Sequence, residues 1–264
     1  MLPSSQRRIE NEAEAENSCN KAVFFLLAFA FCLMCSCKKV QGPDLSIACA
    51  ANMQFAMEEW VQQYEDQTGQ KVQLTISSSG KLFAQIREGA PWDLFFSADK
   101  KYPLALAKLG IGVQAPDTYA RGRLILLSRH KPVGRDQCDW LASQKEKIAV
   151  ANPKTAPYGE AARMFLSNCG ILDGLSDQLV YGESISQVNR FFLTESVDFA
   201  LTAQSMFYSD KLTDSIFHAF ISTRYYTLIE QDYLILKHSP AVNRFLSYMQ
   251  SDGGQTVLRS FGYF

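Results

Sequence analysis

Four short segments carry the residues that could do chemistry, and their functional groups are almost all small, polar and neutral. Ala51-Asn52 follows the apolar run Leu45–Ala50, and Ser78-Ser79-Gly80 follows the run Lys71–Ile76. Asn152-Pro153-Lys154-Thr155-Ala156-Pro157-Tyr158-Gly159 follows Ile148–Ala151, and Glu183-Ser184-Ile185-Ser186 opens the helical period Ile185–Phe192. Each reads as a turn from a strand into a helix. A helix start leaves backbone N–H groups without intrahelical acceptors, and its dipole favours negative charge. Hydroxyl and amide side chains add further donors. Four such turns converging on one point would surround an anion with neutral donors. Taken one at a time, Asn52, Ser79 and Ser184 read as ordinary N-caps, and Tyr158 as a half-buried aromatic.

Signatures of catalysis are missing from the sequence. It has no G-x-S-x-G elbow, no H-E-x-x-H and no dinucleotide fingerprint. Ser79-Gly80-Lys81-Leu82 looks like the end of a P-loop, but Thr75 stands at its first Gly and Leu82 replaces the Ser/Thr. His130, His218 and His238 fit no metal-ligand spacing. The chain therefore reads as a non-enzyme without a cofactor. Its 26 Lys+Arg balance 27 Asp+Glu, which leaves no electrostatic footprint for nucleic acid. An anionic ligand would have to be held by local dipoles, because bulk charge does not attract it.

The N-terminus carries an address. Lys21 precedes the apolar run Ala22–Met34, which suits a signal-peptide core and is short for a membrane span. Met34-Cys35-Ser36-Cys37 looks like a loose lipobox, with Cys37 as the lipidated first residue of the mature protein. An ordinary cleavage site or an uncleaved anchor are the alternatives. Residues 1–43 are set aside as signal peptide and tether. Of the seven cysteines, Cys49, Cys138 and Cys169 then remain, too few and too sparse for a disulfide framework. Cys49 reads as a small core residue, and a Cys138–Cys169 bridge is left open.

The elements that must position these turns alternate along the chain. Strand-like Leu45–Ala50, Lys71–Ile76 and Asp93–Ser97 alternate with helical periods at Met53–Tyr64, Leu82–Ile86 and Leu104–Leu109. This is an α/β pattern with a mostly parallel sheet. A second block begins near Arg121, with strands at Leu124–Leu127, Ile148–Ala151 and Phe199–Thr202, and the tail is helical from Val242 to Met249. No flexible linker separates the blocks, so crossing strands and an intervening cleft are expected. Ligands bind such sheets outside the carboxyl ends of the strands, where the polar turns gather.

At these same turns the chain resembles the periplasmic molybdate-binding proteins of ABC transporters, from about Leu45 to the C-terminus. The resemblance rests on Ala50-Ala51-Asn52-Met53, Ser78-Ser79-Gly80 with Gln85-Ile86 and Gly89-Ala90-Pro91, and Asp93–Asp99. It continues through Asn152-Pro153 with Ala156–Gly159 to the closing Ser260-Phe261-Gly262-Tyr263. It implies an α/β, two-domain periplasmic-binding-protein fold of type II, with mixed sheets flanked by helices and a ligand cleft between lobes. Lobe 1 would comprise residues 44–121 plus 223–264, and lobe 2 residues 122–222. Together with the leader, which implies export and a membrane anchor, the resemblance implies a monomer that captures molybdate or tungstate and delivers it to a membrane permease. Carried over by motif, the oxyanion contacts are Asn52 by side chain and backbone, Ser79 by hydroxyl and backbone, the Tyr158 turn and the Ile185 N–H. Ala51 and Ser78 are close neighbours. Molybdenum would be held only as the oxyanion, with no protein atom on the metal. A tyrosine that some members place after a later strand is Ala203 here. Asp99 is read as orienting a turn and Lys81 as solvated. The alternatives are a binding protein for another tetrahedral oxyanion, such as sulfate or phosphate, and a ligand sensor that docks on a membrane receptor.

Overall fold

The computed structural model describes residues 42–212 and 215–264, so the leader and the lipidation site read at Cys37 lie outside the described residues. Within them, two five-stranded sheets are built from β1 (Leu45–Ala50), β2 (Val72–Ser77), β3 (Leu94–Phe96), β4 (Asp117–Gly122), β5 (Leu124–Ser128), β6 (Ile148–Ala151), β7 (Leu179–Gly182), β8 (Phe199–Ala203), β9 (Phe217–Phe220) and β10 (Ile229–Ile235). The first sheet has the order β2-β1-β3-β10-β4, and the second β7-β6-β8-β5-β9. Helices α1 (Gln54–Thr68), α2 (Ser79–Arg87), α3 (Lys101–Lys108), α4 (Gln137–Ala142), α5 (Pro157–Asn168), α6 (Ile185–Leu193), α7 (Pro240–Gln250) and α8 (Asp252–Ser260) flank them.

Both sheets are mixed. β1 runs parallel to β2 and β3, and β6 runs parallel to β7 and β8. β10 is antiparallel to β3 and β4, and β5 is antiparallel to β8 and β9. The chain leaves the first sheet at Gly122, enters the second at Leu124, and returns between Phe220 and Ile229. The parallel core strands read as unbroken apolar runs because both of their faces are covered. In β1, Ile47 and Cys49 face a core with Trp60 of α1 and Phe245 of α7. Ala48 faces the opposite core with Leu82 of α2 and Leu106 of α3. That is the two-residue strand period with a helix layer on each side. α1 buries Met57, Trp60 and Tyr64 at helical spacing and stops at Gly69, where φ is +69°.

In the second sheet Leu124–Leu127 are wholly buried against Phe165 of α5 and Val188 and Phe192 of α6. Each such large apolar side chain contributes roughly 1.5–3 kcal/mol when removed from water. A disulfide joins Cys138 in α4 to Cys169 at the end of α5, with the Cα atoms 5.4 Å apart. The bridge that the sequence leaves open is therefore present. Cys49 is a free, buried thiol, and burial pushes its pKa well up.

Candidate functional site

The carboxyl ends of β1, β2, β6 and β7 place their turns around one cavity. Ala51, Asn52, Ser78 and Ser79 line it from the first sheet, and Tyr158 and Ile185 from the second. All six residues singled out in the sequence thus meet at one place. The remaining wall is Ala50, Ala98, Ala156 and Pro157, so among the described residues no charged side chain lines the cavity. It is small, with about 10 Å³ open to the centre of a water-sized sphere. That is room for about one water-sized group and is too small for a sugar or a peptide in this conformation.

Each donor is set by local chain geometry. Ser79 is the first residue of α2, Tyr158 the second of α5 and Ile185 the first of α6. Helical geometry gives none of these N–H groups an acceptor within its own helix. Asn52 sits in a 3-10 turn, Ala51–Met53, that leaves β1 directly. Pro157 opens α5 at a position where its missing N–H costs nothing.

The N-cap reading holds for Ser184, whose hydroxyl accepts from Gln187 N–H at 3.4 Å. It does not hold for Ser79 or Asn52. Ser79 Oγ accepts from Ala98 N–H at 2.9 Å and keeps its own hydrogen for another acceptor. Ser78 stands at the N-cap position of α2, but its side chain caps nothing, and its buried hydroxyl has no partner among the described residues. A buried hydroxyl left unpaired costs about 1–3 kcal/mol, so this one calls for a ligand or solvent partner.

Behind the cavity lies a second layer that sequence reasoning misses. Asn52 Nδ2 donates to Gln231 Oε1 at 2.7 Å and to Tyr263 Oη at 3.2 Å. The Asn52 carbonyl accepts from Tyr263 Oη and from Ser205 Oγ, each at 2.7 Å. Tyr119 Oη also donates to Gln231 Oε1, at 3.2 Å. The side-chain N–H groups of Asn52 are thus engaged by protein acceptors, and its backbone N–H is the group left for a ligand. Burial holds the hydroxyls of Tyr158 and Tyr119 well above the ordinary tyrosine value, and that of Tyr263 above it too. All three stay neutral. Of this layer, only Tyr263 carries a sequence signal, as part of the terminal motif Ser260–Tyr263.

The charged neighbours stand outside the cavity wall. Asp99 Oδ1 accepts from Tyr102 N–H at 3.2 Å and from Ser97 Oγ at 2.9 Å, which orients the start of α3. Burial raises the Asp99 pKa, against the lowering effect of those two bonds. Lys81 is half-exposed and pairs with Glu183, linking α2 to the turn before α6. Ala203 ends β8 and does not line the cavity.

What the arrangement can do chemically is offer backbone N–H and hydroxyl donors, without a cation, to one small anion. Comparison with known proteins identifies the family. The family of bacterial extracellular solute-binding proteins matches residues 45–264. The molybdate-binding protein ModA of Azotobacter vinelandii is 34% identical over 229 residues, covering 84% of this chain and 90% of that one. The solved periplasmic molybdate-binding protein of Azotobacter vinelandii superposes with a TM-score of 0.78 at 30% identity, covering 84% of this chain and 99% of that one. A putative ABC transporter substrate-binding lipoprotein of Bacillus subtilis, YvgL, is 28% identical, covering 92% of this chain and 97% of that one. The chain belongs to the bacterial extracellular solute-binding proteins and, among them, to the molybdate-binding ModA family.

Proposed function

We propose that this protein is an extracytoplasmic solute-binding protein that captures molybdate or tungstate as the intact oxyanion and delivers it to an ABC transporter permease. One observation carries the reading. Donors from four strand ends, in two different sheets, meet at a small cavity whose wall holds no charge. A dianion there is satisfied by directed N–H and O–H groups in place of its water. The proposed contacts are the N–H groups of Asn52, Ser79, Tyr158 and Ile185 and the hydroxyl of Ser79, with Ala51 and Ser78 alongside. The metal is reached only through its oxygens. Selectivity follows from size, because a smaller ion such as sulfate leaves donors unmatched, and each unmatched buried donor costs about 1–3 kcal/mol.

The lobes in this proposal are residues 44–121 with 223–264, and residues 122–222. They hinge about the two chain crossings, and closure presents the loaded state to the permease. The protein acts as a monomer, needs no cofactor and catalyses nothing. Lipidation at Cys37 is the proposed anchor. The leader pattern supports it, as does the 28% identical YvgL, itself named as a lipoprotein.

Thermal unfolding of residues 38–264 with molybdate, tungstate, sulfate or phosphate tests the reading. A ligand at a hundred times its dissociation constant adds about 2.7 kcal/mol to the folded state. That corresponds to a rise of about 5–10 °C for a chain of this size. Molybdate and tungstate should raise the midpoint while sulfate and phosphate leave it nearly unchanged. A rise with sulfate or phosphate instead moves the assignment to those ions. No shift with any of the four removes the oxyanion reading.

A further inference from the structure

The closing motif Ser260–Tyr263 forms no part of the cavity wall. Even so, Tyr263 is 2% exposed and its hydroxyl lies against Asn52. That hydroxyl donates to the Asn52 carbonyl at 2.7 Å and accepts from Asn52 Nδ2 at 3.2 Å. Ser205 Oγ donates to the same carbonyl at 2.7 Å. The main-chain carbonyl and the side chain of Asn52 are therefore both tethered. Fixing those two substituents of one Cα fixes the direction of the third, the backbone N, whose N–H is the contact proposed above for the ion.

The tail reaches this position through contacts with both sheets. Phe264 N–H donates to Arg121 O at 3.3 Å, and Arg121 N–H returns a bond to Phe264 O at 2.8 Å, next to the crossing at Gly122. Gln204, in the turn after β8, donates through its side chain to Gly262 O. Gly262 has φ of +81°, and a Cβ there would lie 2.4 Å from the Tyr208 ring, so only glycine admits this approach. Ser205 belongs to the same turn after β8. Asn52, which follows a strand of the first sheet, is thus held by one group from the second sheet's side and one from the tail that touches both.

We propose that Tyr263 is a positioning residue for oxyanion recognition, and that with Ser205 it sets the Asn52 turn and so sharpens the choice between ions. The inference rests on the oxyanion function proposed above. The mature chain and its Tyr263→Phe and Ser205→Ala variants are titrated calorimetrically with sodium molybdate and with sodium sulfate. Thr202→Val is the control. It removes a buried hydroxyl of β8 that donates to Asn189 Oδ1 at 2.6 Å and takes no part in the Asn52 network. Tyr263→Phe and Ser205→Ala should each weaken molybdate binding about tenfold and narrow its margin over sulfate, as loss of the neutral buried hydrogen bonds that position Asn52 implies. Thr202→Val should lower the unfolding temperature while molybdate affinity stays within about twofold. Molybdate affinity within about twofold of wild type in both Tyr263→Phe and Ser205→Ala overturns the inference alone. Equal weakening in Thr202→Val also overturns it, because the effect is then one of general stability. If Tyr263→Phe does not fold, Ser205→Ala decides. A wild-type chain that binds neither ion overturns the function itself, and this inference with it.

Discussion

Gly80 N–H donates to the carbonyl of Thr155 at 2.8 Å, joining the first turn of α2 to the loop that follows β6. The two backbones approach so closely that a Cβ on Gly80 would lie 2.9 Å from Thr155 Cα and 2.7 Å from the Tyr102 hydroxyl. Tyr102 also donates to the carbonyl of Lys154 at 3.2 Å. This contact lies next to the cavity wall, with Gly80 following Ser79 and Thr155 preceding Ala156, and it joins a residue of the first sheet's half to a loop of the second's.

Gly80→Ala should therefore test whether this contact belongs to the arrangement that binds the ion. Alanine suits the second residue of a helix and removes unfolded-state freedom, worth about 0.4–1 kcal/mol where the conformation is compatible. In the structure the added methyl overpacks against Thr155 backbone atoms, at a cost of about 1–3 kcal/mol. The unfolding temperature without ligand should therefore hold at best or fall, and molybdate affinity should fall about tenfold or more. Calorimetric titration beside thermal unfolding checks both halves, and unchanged affinity would show that this contact does not report closure.

Lys81 and Glu183 bridge the same two halves but should matter far less. Their side chains are 46% and 62% exposed, and exposed pairs are typically worth 0–1 kcal/mol, screened by salt. Glu183→Gln should change molybdate affinity by less than about fivefold, with the difference shrinking as salt rises. A larger loss at high salt would mean that the pair does more than its exposure allows.

How far the sequence foretold this molecule follows from where its signals lie. β1, β6 and β8 are covered on both faces, so their apolar runs are unmistakable. β4 (Asp117–Gly122) is an edge strand with a mostly exposed, polar sequence, and it escapes detection. β10 escapes because Glu230, Gln231 and Asp232 interrupt its apolar pattern. Gln231 and Asp232 are nonetheless buried, Gln231 against Asn52 and Tyr119, and Asp232 against Thr118 at 2.7 Å. Such polar residues are tolerated only through partners distant in sequence, which no local pattern displays. The mixed character of the first sheet follows from β10, and that of the second from β5, which runs antiparallel to both of its neighbours. Turn residues were legible because helix starts select small polar types locally. The Gln231, Ser205 and Tyr263 layer was not, because its logic is contact across 153 to 211 residues of chain.

Ser79 and Ser78 should respond differently to loss of the hydroxyl. Ser79 Oγ accepts from Ala98 N–H and can donate to the ion at the same time. Ser79→Ala removes a ligand donor and strands a buried N–H, so affinity should drop by about 1–3 kcal/mol, with a loss of stability as well. Ser78 Oγ has no protein partner, so Ser78→Ala should leave the ligand-free protein as stable as before or slightly more so. Its effect on molybdate affinity then measures directly whether that hydroxyl touches the ion. Equal loss of stability in the two variants would contradict the bonding described here.

Reduction should weaken the fold and spare the site. Cys138 and Cys169 are separated by 31 residues, and closing a loop of that length stabilises by about 3–4 kcal/mol in the chain-entropy treatment. Neither cysteine lines the cavity. A Cys138→Ala/Cys169→Ala variant should unfold at a clearly lower temperature yet bind molybdate with wild-type affinity when measured well below that temperature. Cys49 should resist thiol reagents until the protein unfolds, since it is fully buried and its thiolate is disfavoured.

Binding should be flat in pH across the neutral range. No carboxylate, histidine or lysine lines the cavity, and the nearest titratable groups are tyrosines. Burial raises Tyr158 well above the ordinary value of 10.0 and raises Tyr263 as well, so both remain neutral donors. The sign follows from linkage. A group whose folded pKa lies above its unfolded value contributes stability that is complete below the unfolded value and is lost as pH rises through the folded one. These tyrosines therefore support the fold at neutral pH and withdraw that support only in strong alkali. Molybdate affinity from about pH 6 to about pH 9 should vary by less than about threefold, since a full unit of differential titration would be worth 1.36 kcal/mol. A tenfold change across that window would require an ionisable group at the ion, and the cavity wall holds none.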